Sequence, residues 1–154
     1  ANGVRVLTMM EDYFSRPQGP GMTAFENELG GRVVVMGYAP WIFLHSVAKR
    51  AQLQNVADWI SRGRVPVKIE EPVPLIPIVR LSADGRKGAV LLLNAGLDEV
   101  GKATVQIRAS CKDVRVLSLC GKERRLRTAE SESGCCVILK DLSPWSFSML
   151  LFGA

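Results

Sequence analysis

Between Ile78 and Phe152 the chain is a succession of short apolar runs separated by turn signals, and no helical stripe intervenes. Ile78–Ser82 ends in Ala83-Asp84-Gly85-Arg86, a hairpin turn built on Asp-Gly. Gly88–Asn94, Lys102–Ala109, Val114–Leu119, Arg124–Thr128, Cys136–Leu139 and Trp145–Phe152 follow. In Lys102–Ala109 the residues Ala103, Val105 and Ile107 point one way, and Thr104, Gln106 and Arg108 the other. In the last run Trp145, Phe147, Met149 and Leu151 share a face, which places Trp145 in the core. Roughly seven strands at spacings of about 8–12 residues predict an antiparallel sandwich or barrel, immunoglobulin-like in outline. Polar Arg124–Thr128 reads as an edge or solvent-facing strand.

Residues 1–64 read differently. Val4–Met10 suits a buried strand, and Ser15–Gly21 is a Gly- and Pro-rich loop. Val33–Met36 is apolar without alternation, as in parallel strands covered on both faces. A helix is expected from about Ser46 to Arg62, with Ser46 as N-cap and Gly63 as left-handed C-cap. Leu53, Val56, Ala57 and Ile60 form its apolar stripe. These elements are too few to close a doubly wound sheet. Residues 1–64 are expected to be the last part of an α/β domain, or a small cap. Residues 65–77 hold Pro66, Pro72, Pro74 and Pro77 and read as a linker with an edge strand near Val65–Ile69. The expected fold class is α+β: a mainly antiparallel β-sandwich at residues 78–154, preceded by a partial α/β segment.

Composition narrows the function classes. With 47% apolar and 23% charged residues in 154, a packed core is feasible. No apolar run approaches the ~18 residues of a membrane span. Ala1–Arg5 lacks the regions of a signal peptide, and the absent initiator Met is what a piece of a longer protein shows. The net charge is +5, with a basic cluster at Lys122, Arg124, Arg125 and Arg127. Glu123 interrupts the cluster and no aromatic residue interleaves it, so a solvated strand face is the reading preferred over nucleic-acid binding.

Four cysteines, Cys111, Cys120, Cys135 and Cys136, form no C-x-x-C pair, and the single His45 is distant, so zinc spacing is absent. On a strand, Cys135 and Cys136 point to opposite faces. Free thiols favour a reducing, cytoplasmic compartment; a disulfide between neighbouring strands stays open.

Several stretches carry a resemblance. They are Phe25–Trp41 (FENELGGRVVVMGYAPW), Asp58-Trp59-Ile60, Leu91–Glu99 (LLLNAGLDE) and Leu142–Phe152 (LSPWSFSMLLF). Together they resemble the C-terminal end of large bacterial glycoside-hydrolase-like proteins, such as the β-galactosidases with a trimerisation domain. There a catalytic (β/α)₈ barrel is followed by an amidotransferase-like α/β domain and a terminal β-sandwich. The resemblance implies that the catalytic carboxylates lie outside this chain, so none is carried onto it. It implies an accessory module for packing, assembly or sugar contact, whose partner is the parent catalytic domain. The residues themselves lead to no expected cofactor or metal, and homo-oligomerisation stays open.

The residues themselves offer little catalytic chemistry. Glu26 and Glu28 could share a side, but nothing suggests a pocket that would split their pKa values; they read as loop carboxylates, salt-linked to Arg32 or solvated. No cysteine sits at a strand-to-helix turn with a base in reach. His45 reads as a capping or packing residue. Gly19, Gly21, Gly30 and Gly31 match no phosphate-loop pattern. The ligand-binding candidates are Tyr38 and Trp41, past the end of the expected parallel strand, where ligands of α/β sheets bind. Trp59 is expected to pack. Three functions follow: a non-catalytic accessory module, a carbohydrate-binding module, and, on charge alone, a nucleic-acid-binding β-domain.

Overall fold

A computed structural model describes residues 3–43, 46–109, 111, 113–131 and 134–153. The chain divides into two compact units, Ala1–Arg64 and Val65–Ala154. Among the described residues it is mostly antiparallel β-sheet with one α-helix.

The first unit is a three-stranded meander, β1 (Arg5–Glu11), β2 (Pro17–Glu26) and β3 (Arg32–Met36), followed by a 3-10 turn at Pro40–Phe43 and the helix α1 (Val47–Ile60). Its turns are closed by side-chain oxygens. Asp12 Oδ1 accepts from the amides of Phe14 and Arg16, both at 2.9 Å. Asn27 Oδ1 accepts from Gly31 N at 2.6 Å, with Gly30 at φ 81. Both are Asx-type turns, which need a short polar side chain and a residue tolerant of positive φ.

Three expectations for this sheet are corrected. β1 is a strand but not a buried one: Val6, Leu7, Met9 and Met10 are exposed and only Thr8 is half-buried. Pro17–Gly21 is not loop but the first half of β2. There β2 pairs only with β1, because β3 opposes only Met22–Glu26. Pro17 and Pro20 therefore sit where a missing N–H breaks no second ladder. Nor is β3 a parallel strand covered on both faces: it runs antiparallel to β2, and Val33 and Val35 are exposed while Val34 and Met36 are half-buried. This is an antiparallel sheet with one helix, not the end of a parallel α/β sheet.

In α1, Ser46 is the N-cap, in extended backbone, and its Oγ accepts from Lys49 N at 3.5 Å. Gly63, at φ 71, donates its N–H to Asp58 O at 2.8 Å. Of the expected apolar stripe only Val56 lines the cleft against the sheet. Gln52, Asn55, Val56 and Trp59 line a cleft against the sheet, whereas Ala57 and Ile60 are exposed, and no helix residue is buried.

The second unit holds two sheets. One has the order β10 (Thr128–Ser131), β11 (Gly134–Leu142), β7 (Val100–Ile107), β4 (Val67–Ile69). The other runs β5 (Leu75–Leu81), β6 (Gly88–Asn94), β12 (Phe147–Gly153), β8 (Asp113–Ser118), β9 (Glu123–Leu126). A single buried cluster draws Val105, Ile107, Val137 and Leu139 from the first sheet and Val90, Leu92, Val114 and Leu150 from the second. Burying such side chains contributes roughly 1.5–3 kcal/mol each.

Here too the structure redraws parts of the reading. Residues 65–77 are built into the unit, with Val67, Ile69 and Leu75 buried, and Pro77 lies on the edge strand β5. Arg124–Thr128 is not one strand: β9 and β10 belong to different sheets, and the chain crosses between them at Arg127. Strand β12 alternates as expected but buries the opposite face. Leu150 and Phe152 enter the core, while Phe147, Met149 and Leu151 point away. Trp145, expected in the core, stands in the preceding turn at φ 51 and is 68% exposed. Both faces of β12 are apolar, so alternation alone gave no direction. No helix among the described residues is long and apolar enough to cross a membrane.

Candidate functional site

The concave feature of the first unit lies between its sheet and α1. Leu7, Met22, Ala24 and Val34 line one side; Ala51, Gln52, Asn55, Val56 and Trp59 line the other, around about 440 Å³. Pairing puts Ala24 between Arg5 and Val34, so one sheet face supplies a wall that is apolar apart from Arg5. Polar groups come from both walls: Arg5 from β1, and Gln52 and Asn55 from the helix, where Gln52, Asn55, Val56 and Trp59 follow the i, i+3, i+4, i+7 spacing. Sequence reading missed Gln52 and Asn55; that spacing was the available signal, and the more apolar Leu53 stripe masked it.

Tyr38 and Trp41 separate in role. Tyr38 donates its hydroxyl to Gln52 Oε1 at 2.9 Å, and Lys49 Nζ lies 5.0 Å from its ring centroid. These contacts tie the segment after β3 to α1. Trp41, in the 3-10 turn, is 70% exposed. The placement at the C-terminal end of a parallel strand falls away, because the sheet is antiparallel.

Glu26 and Glu28 are not brought together as an acid–base pair. Glu26 accepts from Arg32 Nε at 3.0 Å and Arg62 Nη2 at 2.8 Å, while Glu28 lies in the exposed turn. The hydrogen bond from Arg32 holds Glu26 below the usual carboxylate range, with both arginine charges adding to it and partial burial opposing. Arg32 also donates Nη1 to Trp59 O at 2.7 Å, and its guanidinium lies 4.8 Å from the Trp59 ring centroid. Trp59 is thus a packing residue under a cation. Arg62 Nη2 reaches Gly30 O at 2.7 Å, fastening the helix end to the β2–β3 turn.

The cysteines are free. Cys135 is buried and Cys136 half-buried on opposite faces of β11. Burial pushes the Cys135 and Cys111 thiols up, which removes nucleophilicity at neutral pH. Exposed Cys120 is lowered by its hydrogen bond with Ser118, at 3.1 Å. His45, Glu132 and Ser133 lie outside the described residues. Among the described residues no cluster of His, Cys, Asp and Glu could hold a metal ion.

In the second unit, Asn94 is the buried polar residue that organises a junction. Its Nδ2 donates to the carbonyls of Asp98, Leu142 and Ser143, each at 3.0 Å, and its Oδ1 accepts from Gly96 N at 3.0 Å. The backbone amide of Asn94 donates to Ser146 O at 2.9 Å. The stretches LLLNAGLDE and LSPWSFSMLLF therefore meet at one side chain.

No family model matches the chain, and no curated protein matches it in sequence. In structure it is similar to alpha-L-fucosidase isoenzyme 2 from Paenibacillus thiaminolyticus, with a TM-score of 0.56 at 14% identity. The likeness covers 90% of this chain and 23% of that one, and at this identity it speaks for the fold alone. The fold is thus shared with under a quarter of the length of a glycoside hydrolase.

Proposed function

We propose that this chain is a non-catalytic accessory module of a larger glycoside-hydrolase-like protein, with a structural duty. In this reading residues 65–154 are a β-sandwich, the two sheets stacked over their common core, and residues 1–64 pack against a surface of the parent. The fold likeness to part of a fucosidase supports the class. The observation that carries the packing duty is the outer face of the first sheet. Val6, Phe25, Val33 and Val35 are all exposed there, and pairing puts them on one side of the meander. A largely apolar sheet face in water, broken only by Thr23 between Val6 and Val35, is a surface awaiting cover.

Two measurements test this. A panel of nitrophenyl glycosides, α-L-fucoside and β-galactoside included, should show no turnover at high protein concentration; hydrolysis of any removes the non-catalytic reading. Native protein should bind an apolar fluorescent dye, and Val33→Lys with Val35→Lys should abolish the signal. Unchanged fluorescence would mean that the face has no such role.

Trp41 keeps a second reading open, since an exposed indole can stack on a sugar ring. Retardation in gels containing neutral polysaccharide, lost in Trp41→Ala, would favour a carbohydrate-binding module over a purely structural one.

A further inference from the structure

Where the chain crosses from β9 to β10, the second unit carries an open trough of about 770 Å³. Its floor is the outward face of β11 and β7. Register pairs Ile138 with Thr104 and places Cys136 and Lys140 on the same side, opposite buried Val137 and Leu139. From Cys136 to Lys140 this floor runs about 13 Å. The wall is Arg124–Ala129. Among the described residues four cationic side chains, Arg124, Arg125, Arg127 and Lys140, line the trough, and no carboxylate does. Arg125 is held by Asp113, Nε to Oδ1 at 2.8 Å. Among the described residues Arg124, Arg127 and Lys140 have no ion-pair partner.

We propose that this trough binds a linear acidic polysaccharide, its carboxylates or sulfates on Arg124, Arg127 and Lys140 and its sugar faces on Ile138. Unpaired guanidinium groups present planar forks that match carboxylate and sulfate oxygens in bidentate geometry. A lining of one sign raises the local concentration of a polyanion. Ile138 is 50% exposed at the centre of the floor, an aliphatic surface for the C–H faces of a sugar. The Thr104 hydroxyl donates to Glu71 Oε1 at 2.7 Å and keeps its acceptor capacity, while the exposed Thr128 supplies a second hydroxyl. Among the described residues the lining contains no aromatic ring, so it offers no stacking platform of the kind single-stranded nucleic acid uses. The proposal stands on the trough's own chemistry and does not require the accessory reading.

Affinity electrophoresis of the full chain tests it, in gels containing polygalacturonate or chondroitin sulfate, with neutral dextran as reference and an oligothymidylate competitor at equal salt. Retardation is expected in at least one acidic gel and not in dextran, weakening as salt rises. The triple variant Arg124→Ala, Arg127→Ala, Lys140→Ala should bind at least about tenfold more weakly. A charge-matched control, Arg64→Ala, Arg80→Ala, Arg86→Ala, should stay within about twofold of the parent, since its arginines line no part of the trough. Superimposable thermal melts establish that the variants are folded; if the triple variant melts early, Lys140→Glu is read instead. No retardation in either acidic gel, equal loss in the two triple variants, or tighter binding of the oligonucleotide would overturn the proposal.

Discussion

The two units bury their apolar residues to very different degrees. In Val65–Ala154, two sheets contribute to one cluster in which Val90, Val105, Val114, Val137 and Leu150 are fully buried. In Ala1–Arg64, the buried hydrophobics among the described residues are Met22 and Ala24, and α1 buries none. What holds the first unit is largely polar: Asx turns, the Glu26–Arg32–Arg62 network, and the Tyr38–Gln52 bond. Exposed ion pairs are worth roughly 0–1 kcal/mol each, against about 1.5–3 for a buried aliphatic side chain. The second unit is stabilised by its own core, whereas the first is a shape kept by caps and pairs with apolar surface to spare.

Matched truncations sharpen that contrast. Leu92→Ala, in the core, should cost about 2–5 kcal/mol in denaturant unfolding. Val35→Ala, on the open sheet face, should stay within about 0.5 kcal/mol. Comparable losses at the two sites would erase the distinction. Asn94→Ala should cost about 1–3 kcal/mol, because it strands the carbonyls of Leu142 and Ser143 in a buried junction. A neutral outcome would show that water replaces the amide.

The difference also has a pH signature. The folded protein holds Glu26 below its ordinary pKa of 4.5. A depressed carboxylate contributes stability above its unfolded pKa, and this is lost as pH falls through the folded value. Near-ultraviolet signals from Trp59, which lies under Arg32, should therefore change as pH falls below about 4.5, and Glu26→Gln should remove that step. Persistence of the step in Glu26→Gln would assign it elsewhere.

The smallest effect concerns thiols: limited alkylation at pH 8 should modify Cys120 first and Cys135 only on unfolding. Early labelling of Cys135 would mean that the β11 core opens readily.

Legibility in the sequence follows the same divide. Strict alternation in Ala103, Val105 and Ile107 announced both the strand and its buried face, because one side is apolar and the other polar. In β12 both sides are apolar, so the strand was evident but its inner face was not, and Trp145 was misplaced with it. In the first unit weak burial left little pattern to read. The prolines of β2 imitated a loop, and Val33–Met36 imitated a parallel strand. Ser46 and Gly63 were readable as caps because capping is local chemistry. The basic trough was visible only in part: Arg124–Arg127 stood out as charge, but Lys140 and Ile138 join them through strand pairing that no local pattern encodes.

Hydrogen exchange across the whole chain tests the divide most directly, since protection reports local opening free energy. Amides of β6, β7, β11 and β12 should exchange slowest, at the rate of global unfolding, and those of β1, β3 and α1 much faster. Equal protection of both units would contradict the account, because the first unit would then owe its order to burial that these residues do not provide.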